Sequence, residues 1–262
     1  MLPLFVAIHE NERMGCASSK SRELDPGRVL LRFDAVSPSR AASERRDGQV
    51  ARVVGRVAMS RLGVALTSPV TRQECVHYEV EVSTLDESSR GDVAWIPVAR
   101  RSRSVDFFLT DDAGTGPVFV YESSTVAAVK RGNCAGVENL ELMEQRNVDT
   151  FLKEEGVAIP GFLTRVVPEE RAMVRERVFR LGEAVAAVGV LSLADRHPKL
   201  LPIRPLSDRE MKRFDDEDRL AWASLLATHA DAVVVSSHPA HVQGAASDFG
   251  TSHVHSPARS TN

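Results

Sequence analysis

Glu74-Cys75-Val76-His77-Tyr78-Glu79-Val80-Glu81-Val82 is the stretch on which the fold turns. In an extended chain Val76, Tyr78, Val80 and Val82 line one face, and Cys75, His77, Glu79 and Glu81 line the other. A period of two sustained this long describes an antiparallel strand with one face in a core. The apolar set is therefore expected to be buried, with His77, Glu79 and Glu81 more exposed.

Outward from this strand the pattern repeats. Residues 50–57, 93–98, 105–109 and 117–121 read as further strands, and Pro69 breaks Leu66-Thr67-Ser68-Pro69-Val70 into a turn. Asp111-Asp112-Ala113-Gly114-Thr115-Gly116 reads as a hairpin loop rather than a phosphate cradle, because no helix and no suitably placed lysine follow it. Residues 139–151 are helical or irregular. Pro168, Glu169 and Glu170 suit the first turn of a helix over residues 168–179. Residues 184–191 and 199–203 read as paired strands joined by a turn at residues 195–198. Ser207-Asp208-Arg209-Glu210 is a capping box opening a helix toward His229. The fold class expected is α+β and β-rich: an antiparallel, barrel-like sheet with a few packed helices.

The chain has 262 residues, 43% of them hydrophobic, with a net charge of −3. That is enough for one large or two small domains with a sizeable core. The positive charge is carried almost entirely by arginine. A near-neutral balance speaks against nucleic acid as the main partner, including binding by an OB-like barrel, and only two Trp and two Tyr are available for stacking. Cys16, Cys75 and Cys134 are too few for a disulfide framework, which fits a reducing compartment. No run of 18 apolar residues exists, and the most apolar late segment, residues 220–235, is interrupted by His229 and Asp231.

Met14-Gly15-Cys16-Ala17-Ser18-Ser19-Lys20 has the form of a dual lipidation signal. Gly15 would accept a myristoyl group on an amine freed by loss of Met14, Ser19 stands at the position such acceptors require, and Cys16 would take a second, thioester-linked chain. Two chains matter because one binds a membrane only marginally. The expectation is that translation starts at Met14 and that residues 1–13 are an upstream extension. Lys20 opens a stretch from Met14 to Arg56 holding nine Lys or Arg against five Asp or Glu, suited to an anionic lipid surface. Residues 1–48 thus read as a flexible leader, residues 49–236 as the folded domain, and residues 237–262 as a disordered tail.

Taken in order, several motifs resemble the GIDE domain, the soluble domain of MULAN-type ubiquitin-protein ligases. They are Gly55-Arg56-Val57, Leu66-Thr67-Ser68-Pro69, the strand from Glu74 to Val80, Val105-Asp106-Phe107-Phe108-Leu109 with Asp111, Asp112, Gly114 and Val118, the run from Phe179 to Gly189, and Leu200-Leu201-Pro202. The resemblance covers residues 50–235 and implies a β-rich domain beside a membrane. It does not carry ligase activity, because a RING needs about seven cysteines and a histidine in some fifty residues and no cysteine follows Cys134. The family's membrane helices are missing too, and the lipid signal would replace them.

Other candidates are weaker. Cys75 and His77 share a strand face in the alternating pattern and could pair as nucleophile and base, but nothing orients them except Glu79. His238, His241, His253 and His255 have chelate-like spacing without a fold to fix them. Arg100, Arg101 and Arg103 could meet lipid headgroups or an acidic partner. No catalytic residue, metal site or cofactor is expected. The functional expectation is a non-catalytic, GIDE-like, membrane-associated interaction module on the cytoplasmic face of a membrane, or a cytosolic protein if translation begins at Met1. Its partner is an unidentified protein. The alternative is a component of a ubiquitin-ligase system acting with a separate RING protein.

Overall fold

The computed structural model describes residues 26–43, 47–59, 63–86, 94–121, 125–128, 133–136, 139–157, 172–195 and 197–243. Five strands close on one another: β2 (Val50–Ala58), β6 (Phe107–Thr110), β7 (Val118–Val120), β12 (Lys199–Leu201) and β11 (Ala184–Ser192). β2 pairs antiparallel with β6, β6 with β7, and β11 with both β12 and β2, while β7 and β12 run parallel. The result is a closed five-stranded barrel of the OB-like kind. Alternation along each strand fills its interior with Ala51, Val53, Val57, Phe107, Leu109, Val118, Val120, Val185, Ala187, Leu191 and Leu200. Gly55 permits the close β2–β6 approach, since a Cβ there would lie 2.7 Å from the Thr110 carbonyl oxygen.

A second sheet grows from two barrel connections. Between β2 and β6 the chain forms β3 (Leu66–Thr67), β4 (Glu74–Asp86) and β5 (Ala94–Ser104). Between β7 and β11 it forms β8 (Thr125–Ala128), β9 (Asn133–Gly136), α3 (Leu142–Glu154) and β10 (Ala172–Arg180). β4 lies between β10 and β5, and β9 flanks β10. Val148, Phe151 and Leu152 of α3 cover Tyr78, Val80, Val82, Val174 and Val178.

Helices cover part of the barrel from outside. α1 (Pro26–Leu30) and α5 (Asp216–His229) bring Val29, Leu30, Phe33, Phe214, Trp222 and Leu225 against Val50, Val188 and Val234. Val234 belongs to β13 (Ala232–Ser236), which pairs with β11 and with β8. β1 (Ala35–Val36) pairs with β2, and α2 (Pro38–Ser43) follows it.

The β-rich α+β class holds, and Val76, Tyr78, Val80 and Val82 are buried as expected. Several elements differ from expectation. Residues 172–179 are strand β10, not the end of a helix, because Ala172, Val174, Glu176 and Val178 alternate inward against β4. Residues 26–43 of the leader are built into the fold, with Val29 and Leu30 fully buried. The Ser207 capping box forms, but α4 (Asp208–Met211) ends after one turn and Asp215 caps α5 anew. The tail begins with a short helix, α6 (Pro239–Val242), that buries His241. His77 and Glu79 are also buried, at 1% and 8% exposure, against the expectation that they face solvent.

Candidate functional site

The Cys75–His77 pair does not survive the folded register. Phe179 faces His77, but the next residue, Arg180, faces Cys75, so β4 carries one extra residue there. Such a bulge reverses the alternation beyond it. Cys75 accordingly packs with Tyr78, Val80 and Val82, and its thiol donates to the Leu66 carbonyl at 3.7 Å. Burial, with the Glu176 charge adding to it, pushes that thiol up to about 11. His77 lies at the barrel's edge, its ring 5.5 Å from Phe179 and its Nδ1 2.8 Å from Ser104 Oγ. Burial draws its pKa down to about 4, with Arg177 adding to the effect and Glu79 opposing it. A protonated thiol and a neutral imidazole on different faces form no nucleophile–base pair.

The rest of this polar face is neutralised internally. Burial disfavours the charged form of Glu79, yet Arg177 and Arg100 together hold its carboxyl below the usual range. Arg177 Nη1 donates to Oε2 at 2.9 Å, and Arg100 Nε donates to Oε1 at 3.1 Å. A cleft of about 10 Å³ remains between Glu79, Glu81, Arg175 and Arg177, which is water-sized. Arg101 donates to Glu154 at 2.9 Å and Glu155 at 2.6 Å and stacks 5.1 Å from the Phe151 ring centre. Of the arginine group only Arg103 is left to solvent without a carboxylate partner among the described residues.

Gly15, Cys16, Ser19 and Lys20 lie outside the described residues, as do His253 and His255. His238 and His241 come together with ring centres 5.0 Å apart, but His241 is buried and its Nδ1 sits 2.8 Å from Ser236 Oγ. Among the described residues no three His, Cys, Asp or Glu side chains are grouped to hold a metal, and no helix is long and apolar enough to cross a membrane.

One feature escaped the sequence reading. On the outer wall of β6 and β7, Phe108 and Phe119 are cross-strand partners with ring centres 4.7 Å apart. Tyr121 continues the row 4.1 Å from Phe119, and Lys199 of β12 reaches within 5.7 Å of the Tyr121 ring centre. Phe108 and Phe119 are half-buried and Tyr121 is 37% exposed. Arg56 and Lys199 border the row, and each is engaged by an aspartate: Arg56 by Asp112 at 2.5 Å, Lys199 by Asp195. The signal was present in the strand parity. Phe107, Leu109, Val118 and Val120 point inward, so Phe108 and Phe119 must point out.

Comparison of the chain with protein-family models, with curated proteins and with solved structures finds no match.

Proposed function

We propose that this chain is a non-catalytic, GIDE-like interaction module held at a membrane surface by acyl chains on Gly15 and Cys16. One observation carries the non-catalytic part. The strongest nucleophile candidate, Cys75, keeps its proton and is turned away from His77 by the bulge in β4. Chemistry at this sheet would need a charged thiolate beside a basic imidazole, and the fold opposes both. The interaction part is supported by the half-buried aromatic row on the barrel wall, of which Tyr121 is 37% exposed. The anchor rests on the residues from Met14 to Lys20, and the family likeness on the order of motifs between Gly55 and Pro202.

Fractionation of cells expressing the gene with its native upstream sequence tests the anchor. Wild type should pellet with membranes and lose Met1 to Met14 by intact mass. Gly15→Ala should move it to the soluble fraction, because the second acylation commonly depends on the first. Cys16→Ser should leave partial, reversible binding, because a single myristoyl chain is a marginal anchor. A soluble wild type that retains Met1 defeats the anchor.

A further inference from the structure

Among the described elements β5 is the one long strand at a sheet edge. The other edge strands, β1, β3, β8 and β9, have two to four residues each, and shortness of that kind keeps an edge from pairing. β5 has 11 residues and pairs only with β4. One bond sets which of its backbone groups face outward. The Val105 N–H donates to the Val76 carbonyl at 2.9 Å, in step with the pairing of His77 with Ser104. Backbone groups alternate sides along a strand, so Ala99, Arg101 and Arg103 turn theirs to β4, while Arg100, Ser102 and Ser104 turn theirs away. No described strand pairs with that outer side. The first half of the edge is closed, because Pro97 has no N–H and Val98 is an extra residue between the partners of Val82 and Ser83. Residues 100–104 contain no proline and keep an unbroken register, so the opening is confined to them.

Charge narrows what fits there. β5 carries Arg100, Arg101 and Arg103 and no acidic residue. Arg103 is exposed, with no carboxylate partner among the described residues. A second copy of β5 laid antiparallel about Ser102 would set Arg101 directly against Arg103, and like charges in that position repel. A strand with carboxylates at alternate positions meets no such penalty. A phosphodiester, in lipid or nucleic acid, accepts hydrogen bonds but donates none, so the outward carbonyls would gain nothing from it. A peptide strand offers donors and acceptors in the alternation the edge presents.

We propose that the open edge of β5 at residues 100–104 takes up an extended acidic segment of a partner protein as an added β-strand, with a carboxylate of that segment against Arg103. This rests on the interaction-module reading and adds the surface and the class of partner.

The test titrates the ¹⁵N-labelled full chain with the capped peptide Thr-Glu-Val-Glu-Val-Glu-Thr, with its counterpart carrying Lys for Glu, and with vesicles of phosphatidylserine and phosphatidylcholine. The acidic peptide should shift the amides of Arg100, Ser102 and Ser104 and slow their hydrogen exchange about tenfold. Ser102→Pro removes an N–H that points away from β4, so the sheet tolerates it while the added strand loses its central bond, and binding should weaken about tenfold. Arg103→Glu should weaken it about fivefold, and it decides the matter if Ser102→Pro fails to fold. The proposal is overturned if the acidic peptide leaves these amides unmoved, if the basic peptide binds as tightly, or if either folded variant binds like wild type. It is equally overturned if vesicles move these amides and the acidic peptide does not, or if the free chain sediments as a dimer that Ser102→Pro dissociates. Membrane association without peptide binding would remove this inference alone. Peptide binding by a wild type that does not pellet with membranes would remove the anchor alone.

Discussion

The two halves of the barrel's outer wall are built from the same alternation and end differently. Outward-facing Val50 and Val188, with Val234 of the neighbouring strand, disappear beneath Phe33, Phe214, Trp222 and Leu225. Outward-facing Phe108 packs on Phe119, Phe119 on Tyr121, and Lys199 reaches over Tyr121 while paired with Asp195, with no helix among the described elements contributing an aromatic ring to the row. On the covered half, aromatic rings come from α5 and from the turns beside α1 and α5 and close a core, as in the 5.3 Å contact of Phe33 with Trp222. On the open half, the rings belong to the strands themselves and stay half in water. An apolar wall position thus stabilises the fold or remains available for contact according to what packs over it.

The largest effect should come from the covered half. Trp222→Ala removes a fully buried ring and should cost about 4 kcal/mol in urea unfolding. Its Nε1 has no hydrogen-bond partner among the described residues, so packing alone sets that value. A loss under about 1 kcal/mol would mean that the helices do not stabilise the wall they cover.

Next comes the tie between α1 and α5. Arg32 Nε lies 2.5 Å from Asp218 Oδ2, a carboxylate 1% exposed, and Arg28 is farther away at 3.7 Å. Arg32→Ala should cost about 2 kcal/mol, because it leaves a buried acid with a poorer partner. An unchanged midpoint would show that the Arg32–Asp218 pair contributes nothing to the covering.

Glu210 sharpens the comparison through pH. It caps α4, pairs with Arg204 and accepts from the backbone of Val50 at the covered edge of β2. Burial pushes its carboxyl up, but the bonds from Arg204 and Ser207 outweigh that and bring it down to about 2. A carboxyl depressed in the folded state stabilises it above the unfolded value near 4.5, and that contribution fades as pH falls toward about 2. Glu210→Gln should therefore cost about 1 kcal/mol at pH 7, the screened value of a partly exposed pair, and nothing near pH 2. Melts at both pH values check it, and an equal loss at both would rule out the ion pair as the cause.

The open half should respond least in stability. Phe119→Ala should cost about 1 kcal/mol and Tyr121→Ala no more than about 0.5 kcal/mol. If Phe119→Ala destabilised as much as Trp222→Ala, the open half would be core in disguise and the contrast would collapse.

Much of this architecture was legible because its cause is local. The apolar face of β4, the strands β2 and β11, the hairpin at Gly114 and the capping box at Ser207 each follow from periodicity or turn chemistry within ten residues. β10 is masked in the sequence because Pro168, Glu169 and Glu170 imitate a helix start just ahead of the period-two pattern that begins at Ala172. The face of Cys75 was not legible at all. Its reversal comes from an extra residue relative to a strand about a hundred positions later, where Arg180 pairs with Cys75. His77 and Glu79 read as solvent-facing because their partners, Phe179, Arg100 and Arg177, belong to other strands.

By itself, the sequence determined where most of the barrel strands and β4 run, and that Tyr78, Val80 and Val82 turn into a core. Those properties depend on residue type and spacing alone. Tertiary structure decided the closure of the barrel, the register at Cys75, the neutral state of His77, and which half of the outer wall lies under helices. Each of these depends on which distant strand or helix arrives beside a residue, and no local pattern encodes that arrival.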